Sequence, residues 1–167
     1  KEGAHEVESS WRLIAHLCQT DVAPPTEINY PIRATGQKVA IQITSRKPGN
    51  RWDAGRFAEL GRKLLARRSE KALLLWSPGD NATTTHPGDD AKADEILRMA
   101  PEAFEPLRTA SLGELIAVLQ ECRDLITPDG GAMHLAAAMG VRVVAMFGQS
   151  DPVRWRPWTP RSRVLQS

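Results

Sequence analysis

At 167 residues the chain is long enough for one well-buried domain, with at most an additional helix. Its 41% apolar and 25% charged residues are those of an ordinary soluble globular protein. A formal net charge of +2 is too small to argue for nucleic acid, and no apolar run reaches the length of a membrane span.

Glu6 to Cys18 reads as a helix, with Val7, Trp11, Ile14 and Cys18 on one stripe. A stretch from roughly Gln19 to Gln37 carries Pro24, Pro25 and Pro31 and reads as a linker, because proline disrupts both helix interiors and sheet ladders. Residues 1–37 are therefore expected as a helix and linker, and residues 38–167 as the compact domain. Lys38 to Thr44 is the first strand, and a loop from Ser45 to Trp52 leads to a helix over Ala54 to Arg68. Asp53 is its expected cap, with Trp52 and Phe57 spaced as a hydrophobic staple. Ala72 to Trp76 is apolar throughout, as expected of a strand covered on both faces.

After a polar loop from Ser77 to Gly88, a helix is expected over Asp89 to Ala100 and a short strand near Phe104 to Leu107. Ser111 and Glu114 have the spacing of a capping box for a helix ending near Glu121. Strand Asp124 to Thr127 follows, then a glycine turn, an alanine-rich helix closed by Gly140, and a strand over Val141 to Phe147. Asp151-Pro152 opens a short helical turn, and Arg163 to Gln166 reads as an edge strand. Strands alternating with amphipathic helices imply a Rossmann-like α/β fold with a doubly wound parallel sheet.

Cys18 and Cys122 have no metal or redox spacing and are expected as buried thiols of a reducing compartment, a disulfide being left open. The chain begins with Lys1 and shows no signal peptide, as expected of a processed, trimmed or partial polypeptide.

The turn Asp129-Gly130-Gly131-Ala132-Met133-His134 is the densest chemistry in the sequence. Ligands of open α/β sheets bind at the carboxyl ends of strands, and a following helix N-terminus suits a phosphate. Glycines let a phosphate approach the backbone, Asp129 can accept from sugar hydroxyls, and His134 stands about one turn into the helix. The plainer reading makes Asp129 a cap, the glycines a tight turn and His134 a packed core residue. The combination favours a site, since a simple cap does not need two glycines and an alanine-rich helix is a poor place for an idle histidine.

The first strand is followed by Thr44-Ser45-Arg46-Lys47-Pro48-Gly49-Asn50-Arg51, which has neither the three-glycine dinucleotide fingerprint nor a P-loop lysine motif. Nicotinamide, flavin and P-loop readings are disfavoured. With strands ordered 3-2-1-4-5, this loop and the glycine turn flank the topological switch point. Hydroxyls of Thr44 and Ser45, cations at Lys47 and Arg51, and N–H groups near Gly131 would then converge. A diphosphate between a nucleoside and a sugar best explains that set.

The glycine turn with Leu135-Ala136-Ala137-Ala138, followed by Phe147-Gly148-Gln149-Ser150-Asp151-Pro152 and Arg154-Trp155-Arg156-Pro157-Trp158, resembles glycosyltransferase family nine, the ADP-heptose:lipopolysaccharide heptosyltransferases. Arg51 to Leu60 resembles the family's Trp-Pro-x-x-x-Phe helix start, and His5-Glu6-Val7-Glu8 its interdomain segment. The resemblance implies the C-terminal, donor-binding half of a two-domain (GT-B) enzyme that is metal-independent and inverting. It places the acceptor site and the catalytic base in an N-terminal domain, so no catalytic residue is expected here and this chain alone is expected to be inactive. The implied donor is a nucleotide sugar such as ADP-heptose, and no cofactor is expected. The implied acceptor is of lipopolysaccharide type, and the setting is the cytoplasm, with peripheral attachment to the inner face of the membrane left to the other half.

By the same resemblance Thr44 and Ser45 touch the donor phosphate, a cation among Arg46, Lys47 and Arg51 pairs with it, and Asp129 binds the sugar. Gly130, Gly131 and His134 line the diphosphate. The loop from Ser77 to Gly88, with Asp80, Asn81 and His86, departs from the family in being longer and more polar than a minimal loop, and is expected to contact the base or ribose differently. Where the family often carries a basic residue two before the tryptophan this chain has Asn50, so the charge is expected from Lys47 or Arg51. The competing reading is a stand-alone nucleotide-binding or partner-binding domain without transferase activity. A sugar-nucleotide epimerase is disfavoured by the spacing of the glycine turn.

Overall fold

The computed structural model describes residues 3–18, 20–25, 34–80 and 88–166. In chain order they form α1 (Glu6–Cys18), β1 (Lys38–Gln42), α2 (Ala54–Arg68), β2 (Ala72–Trp76), α3 (Asp90–Met99) and β3 (Phe104–Arg108). These are followed by α4 (Leu112–Gln120), β4 (Cys122–Pro128), α5 (Gly131–Ala138), β5 (Arg142–Phe147), α6 (Pro152–Trp155) and β6 (Ser162–Gln166). The strands make one six-stranded sheet in the order β3-β2-β1-β4-β5-β6, parallel at every pairing. β1 and β4 are neighbours, with Ala40 opposite Leu125 and Ile41 opposite Ile126, so the chain reverses its winding between them.

Alternation along each strand divides the core in two. Ala40, Leu73, Leu75, Leu125, Val143 and Ala145 meet Leu119, Met133, Ala136 and Met139 of the α4/α5 side. Ile41, Ile43, Leu74 and Trp76 meet Phe57, Ala58, Ile96 and Phe104 of the α2/α3 side. All five residues of β2 are buried, as a strand covered on both faces requires.

Local signals set the helix ends. Asp53 accepts from the Arg56 amide at 2.9 Å, and the Trp52 and Phe57 rings lie 5.8 Å apart, closing the staple over the start of α2. Ser111 accepts from the Glu114 amide, while the Glu114 carboxylate reaches the Ala110 N–H rather than that of Ser111. Gly140, at φ +82°, ends the turn after α5, where a side chain would be strained.

At α1 the expected stripe is only partly buried. Val7 and Trp11 are half-buried, but Ile14 and Cys18 are exposed. The helix is held from its first turn: His5 is buried, its Nδ1 accepts from the Val7 amide at 3.1 Å, and its Nε2–H donates to the Arg156 carbonyl at 2.8 Å. Glu6 pairs with Arg154 at 2.7 Å. The two cysteines are free, and the expectation of two buried thiols is corrected: Cys122 is buried, its thiol pushed up to about 12 by burial, whereas Cys18 is exposed. Among the described residues no helix is long and apolar enough to cross a membrane.

Candidate functional site

The carboxyl ends of β2, β1 and β4 open into a cleft of about 620 Å³ on the α4/α5 side of the sheet. Eight of the twelve residues given donor-site roles in the sequence line it: Thr44, Ser45, Arg46, Lys47, Asp129, Gly130, Gly131 and His134. A larger hollow of about 800 Å³ lies at the other end of the strands, where Lys38, Lys71, Glu70, Glu105 and Glu121 mix both signs of charge. Topology favours the smaller cleft, because strand carboxyl ends at a switch point are where this architecture exposes helix N-termini.

Gly130 occupies the cap position of α5 without a side-chain cap, so Asp129 is not the N-cap of this helix. Its carboxylate instead turns back: Oδ2 accepts from Asn50 Nδ2 at 3.2 Å and lies 3.8 Å from Lys47 Nζ. Among the described residues no side chain accepts from the first N–H groups of α5, which carry the positive end of the helix dipole. Neither glycine is demanded by the chain. Gly130 has an extended backbone, with nothing nearer than 4.0 Å to the place of a Cβ, and Gly131 has nothing within 4 Å of that place.

Three loops meet here. Ser45, buried, donates through Oγ to the Asp129 carbonyl at 3.3 Å, tying the end of β1 to the glycine turn. Thr44 Oγ1 accepts from the Ser77 amide at 3.1 Å, tying the same loop to the end of β2. Lys47 Nζ donates to Ser150 Oγ at 3.2 Å, which brings in the loop after β5. Of the expected cations, Lys47 stands over the turn and Arg46 lines the cleft, whereas Arg51 is turned away. Its Nε donates to the Ser45 carbonyl at 2.6 Å, and its charge acts on the buried Asp89 on the α2/α3 side. Burial pushes the Asp89 carboxyl up, with Lys92 at 3.9 Å opposing the shift.

His134 keeps access to solvent, yet neighbouring atoms crowd its imidazole and push its pKa below the ordinary value, against the pull of the Asp129 carboxylate. That shift favours the neutral ring. It also borders a second, apolar hollow of about 520 Å³ shared with His5, Trp11 and Trp155. Asp80 lies in the loop after β2 and is not among the residues lining the cleft; Asn81 and His86 lie outside the described residues.

Sequence reasoning missed Gln42, Leu115 and Thr127, which also line the cleft, and Asn50 and Ser150, which hold the loops together. Period-two alternation from Ala40 could have placed Gln42 on the cleft side; no local signal marks Asn50. Among the described residues no group of three or more His, Cys, Asp or Glu is arranged to hold a metal ion.

The arrangement can bind an anion and a polyol side by side. A helix N-terminus, an ammonium and a hydroxyl-lined loop end stand at one position, and a fixed carboxylate next to them. Residues 4–167 match the model of glycosyltransferase family 9 (heptosyltransferase). The chain is 30% identical to lipopolysaccharide heptosyltransferase 3 of Escherichia coli K12 over 94% of its own length and 48% of that protein's. It is 25% identical to lipopolysaccharide heptosyltransferase 2 of the same strain over 71% of this chain and 33% of that one. The fold is that of the E. coli heptosyltransferase WaaC determined with ADP, at a TM-score of 0.74 and 20% identity, covering 100% of this chain and 52% of the other. The chain spans about half the length of the lipopolysaccharide heptosyltransferase 3 relatives it matches.

Proposed function

This chain belongs to glycosyltransferase family 9, the heptosyltransferase family, and from that premise we propose that it is the donor-binding half of an inverting, metal-independent, heptosyltransferase-like enzyme acting on a lipopolysaccharide-type acceptor. The observation that carries the reading is the uncapped N-terminus of α5, opening with two glycines beneath Lys47 and beside Asp129. The diphosphate of a nucleotide sugar lies against those N–H groups, with Lys47 and Arg46 supplying positive charge. The neutral wall of Gln42, Ser77 and Leu115 faces the nucleoside, and Asp129 faces the sugar.

In transfer, charge builds on the departing nucleoside diphosphate as the acceptor oxygen attacks the sugar carbon from the opposite side. The helix dipole and the lysine stabilise that charge in place, which is the work a divalent cation does in other sites. His134 stands at the same oxygens and holds or shares a proton there. The base that removes the acceptor proton must lie within hydrogen-bond reach of the acceptor hydroxyl, and belongs to the acceptor half of the protein. The enzyme works at the cytoplasmic face of the membrane.

Calorimetric titration with ADP, ADP-heptose and NAD, with and without Mg²⁺, tests the donor assignment. Weak binding of the first two, unchanged by chelator, is the expected result. Strict dependence on Mg²⁺, or tight NAD binding without affinity for ADP, would overturn it. Sugar transfer by this chain alone would overturn the division of labour between halves.

A further inference from the structure

Asn50 is 3% exposed and has no group left over. Its Nδ2 donates to Ser150 Oγ at 2.8 Å and to Asp129 Oδ2 at 3.2 Å, and its Oδ1 accepts from the Gly148 amide at 3.2 Å. A primary amide has two donor hydrogens and one carbonyl oxygen, so every part of this one is committed to a residue 79 to 100 positions away. Ser150, 7% exposed, is equally committed as an acceptor, taking Asn50 Nδ2 and Lys47 Nζ. A second observation shows that the loops themselves are locked. A Cβ on Gly148 would stand 1.9 Å from the Gly49 carbonyl oxygen, and a Cβ on Gly49 would stand 2.5 Å from the Gln149 side chain.

The consequence falls on Asp129. Asn50 and Lys47 both approach Oδ2, and among the described residues nothing pairs with Oδ1, although the residue lines the cleft. We propose that Asn50 and Ser150 are positioning residues of the donor site, which commit one oxygen of Asp129 to the protein, present the other to the hydroxyl groups of the donor sugar, and hold the Lys47 ammonium over the diphosphate. The assignment rests on the donor-site reading above. An asparagine serves where an ionised aspartate does not, because the amide donates to a carboxylate and accepts from Gly148 at the same time, whereas a carboxylate can only accept.

The test is Asn50→Asp in the 167-residue chain, titrated with ADP-heptose and ADP from pH 8 downward beside the wild type. The introduced carboxyl faces Asp129, Lys47 and the Ser150 hydroxyl, with His134 the next titratable group across the turn. Two carboxylates in contact cannot both ionise freely, so one titrates well above its usual range, and once protonated it donates to its neighbour much as the amide did. At pH 8 the variant should bind ADP-heptose at least about tenfold more weakly than wild type, the loss on ADP being smaller. Acidification should recover affinity in the variant relative to the wild type. A merely structural asparagine would give no such profile.

Ser150→Ala and Ser150→Thr carry the test should Asn50→Asp not fold: the alanine variant should lose affinity several-fold and the threonine variant, which keeps the oxygen, should retain it. Wild-type affinity in Asn50→Asp at every pH, a loss that acid does not reverse, or equal behaviour of the two Ser150 variants overturns the assignment while leaving the donor reading standing. A wild-type chain that binds neither ligand overturns both.

Discussion

Lys47 Nζ stands 3.8 Å from Asp129 Oδ2, joining the loop after β1 to the turn after β4 across the switch point of the sheet. The two ends of the pair differ: the lysine side chain is 52% exposed and the aspartate 10%. Water screens the pair, so it adds little to stability. Lys47→Met should change the unfolding free energy by less than about 1 kcal/mol. Its affinity for ADP and for ADP-heptose should fall by about tenfold, through loss of a charge-assisted contact. Raising the salt concentration should narrow the gap between variant and wild type. A salt-independent gap, or none, would remove Lys47 from the anion site.

Asp129 separates sugar from nucleotide. Since Gly130 rather than Asp129 occupies the cap position, Asp129→Asn costs the fold only its contacts to Asn50 and Lys47. Binding of ADP-heptose should weaken by about 1.5–3 kcal/mol, while binding of ADP hardly changes. Equal losses on both ligands would mean that the carboxylate shapes the turn and does not touch the sugar.

His134 gives the pH dependence. Folding lowers its pKa below the ordinary 6.5, so the unfolded chain takes up the proton first. Its contribution to stability is therefore complete above that value and is lost as pH falls through the region below it. A bound diphosphate reverses the balance by favouring the charged ring, so binding near pH 6 should draw in a proton. Calorimetry in two buffers of different ionisation heat should show an uptake that His134→Gln lacks. Identical uptake in both proteins would place the ring away from the phosphates.

The glycines distinguish site from scaffold. At Gly131 a methyl group meets nothing within 4 Å, so Gly131→Ala should leave the fold unchanged or firmer by about 0.5–1 kcal/mol. It should nonetheless weaken ADP binding at least about tenfold, because the methyl occupies the approach to the helix N-terminus. Gly148→Ala should behave in the opposite way, losing stability first, with its Cβ driven to 1.9 Å from the Gly49 carbonyl. Thermal melts beside ADP titrations read both; full ADP affinity in Gly131→Ala would leave its glycine without a ligand-based reason.

Much of the fold is written locally. The Asp53, Ser111 and Asp151 caps, the Trp52–Phe57 staple, the unbroken apolar run of β2 and the left-handed Gly140 each act within about one turn of chain, where a residue type and a spacing suffice. The order of strands and helices followed from those signals, and the order predicts that the loops after β1 and β4 adjoin. Hence Thr44, Ser45, Lys47 and the glycine turn could be assembled on paper before their geometry was known.

The direction of each side chain is another matter. Nothing near Arg51 in the sequence distinguishes it from Lys47, yet one turns to the Ser45 carbonyl and the other reaches Ser150 and Asp129. Asn50 looks like an ordinary turn residue until Ser150, Asp129 and Gly148 close round it, 79 to 100 residues away in sequence. The stripe on α1 shows the converse, since its periodicity is real but Ile14 and Cys18 meet no cover among the described residues. Periodicity and caps are properties of neighbours along the chain, whereas a hydrogen bond between distant loops exists only after the sheet has set their spacing to within a few tenths of an ångström. The elements and their order are therefore encoded by short-range chemistry, and the Asp129 carboxylate held through Oδ2 by two distant loops is a product of packing.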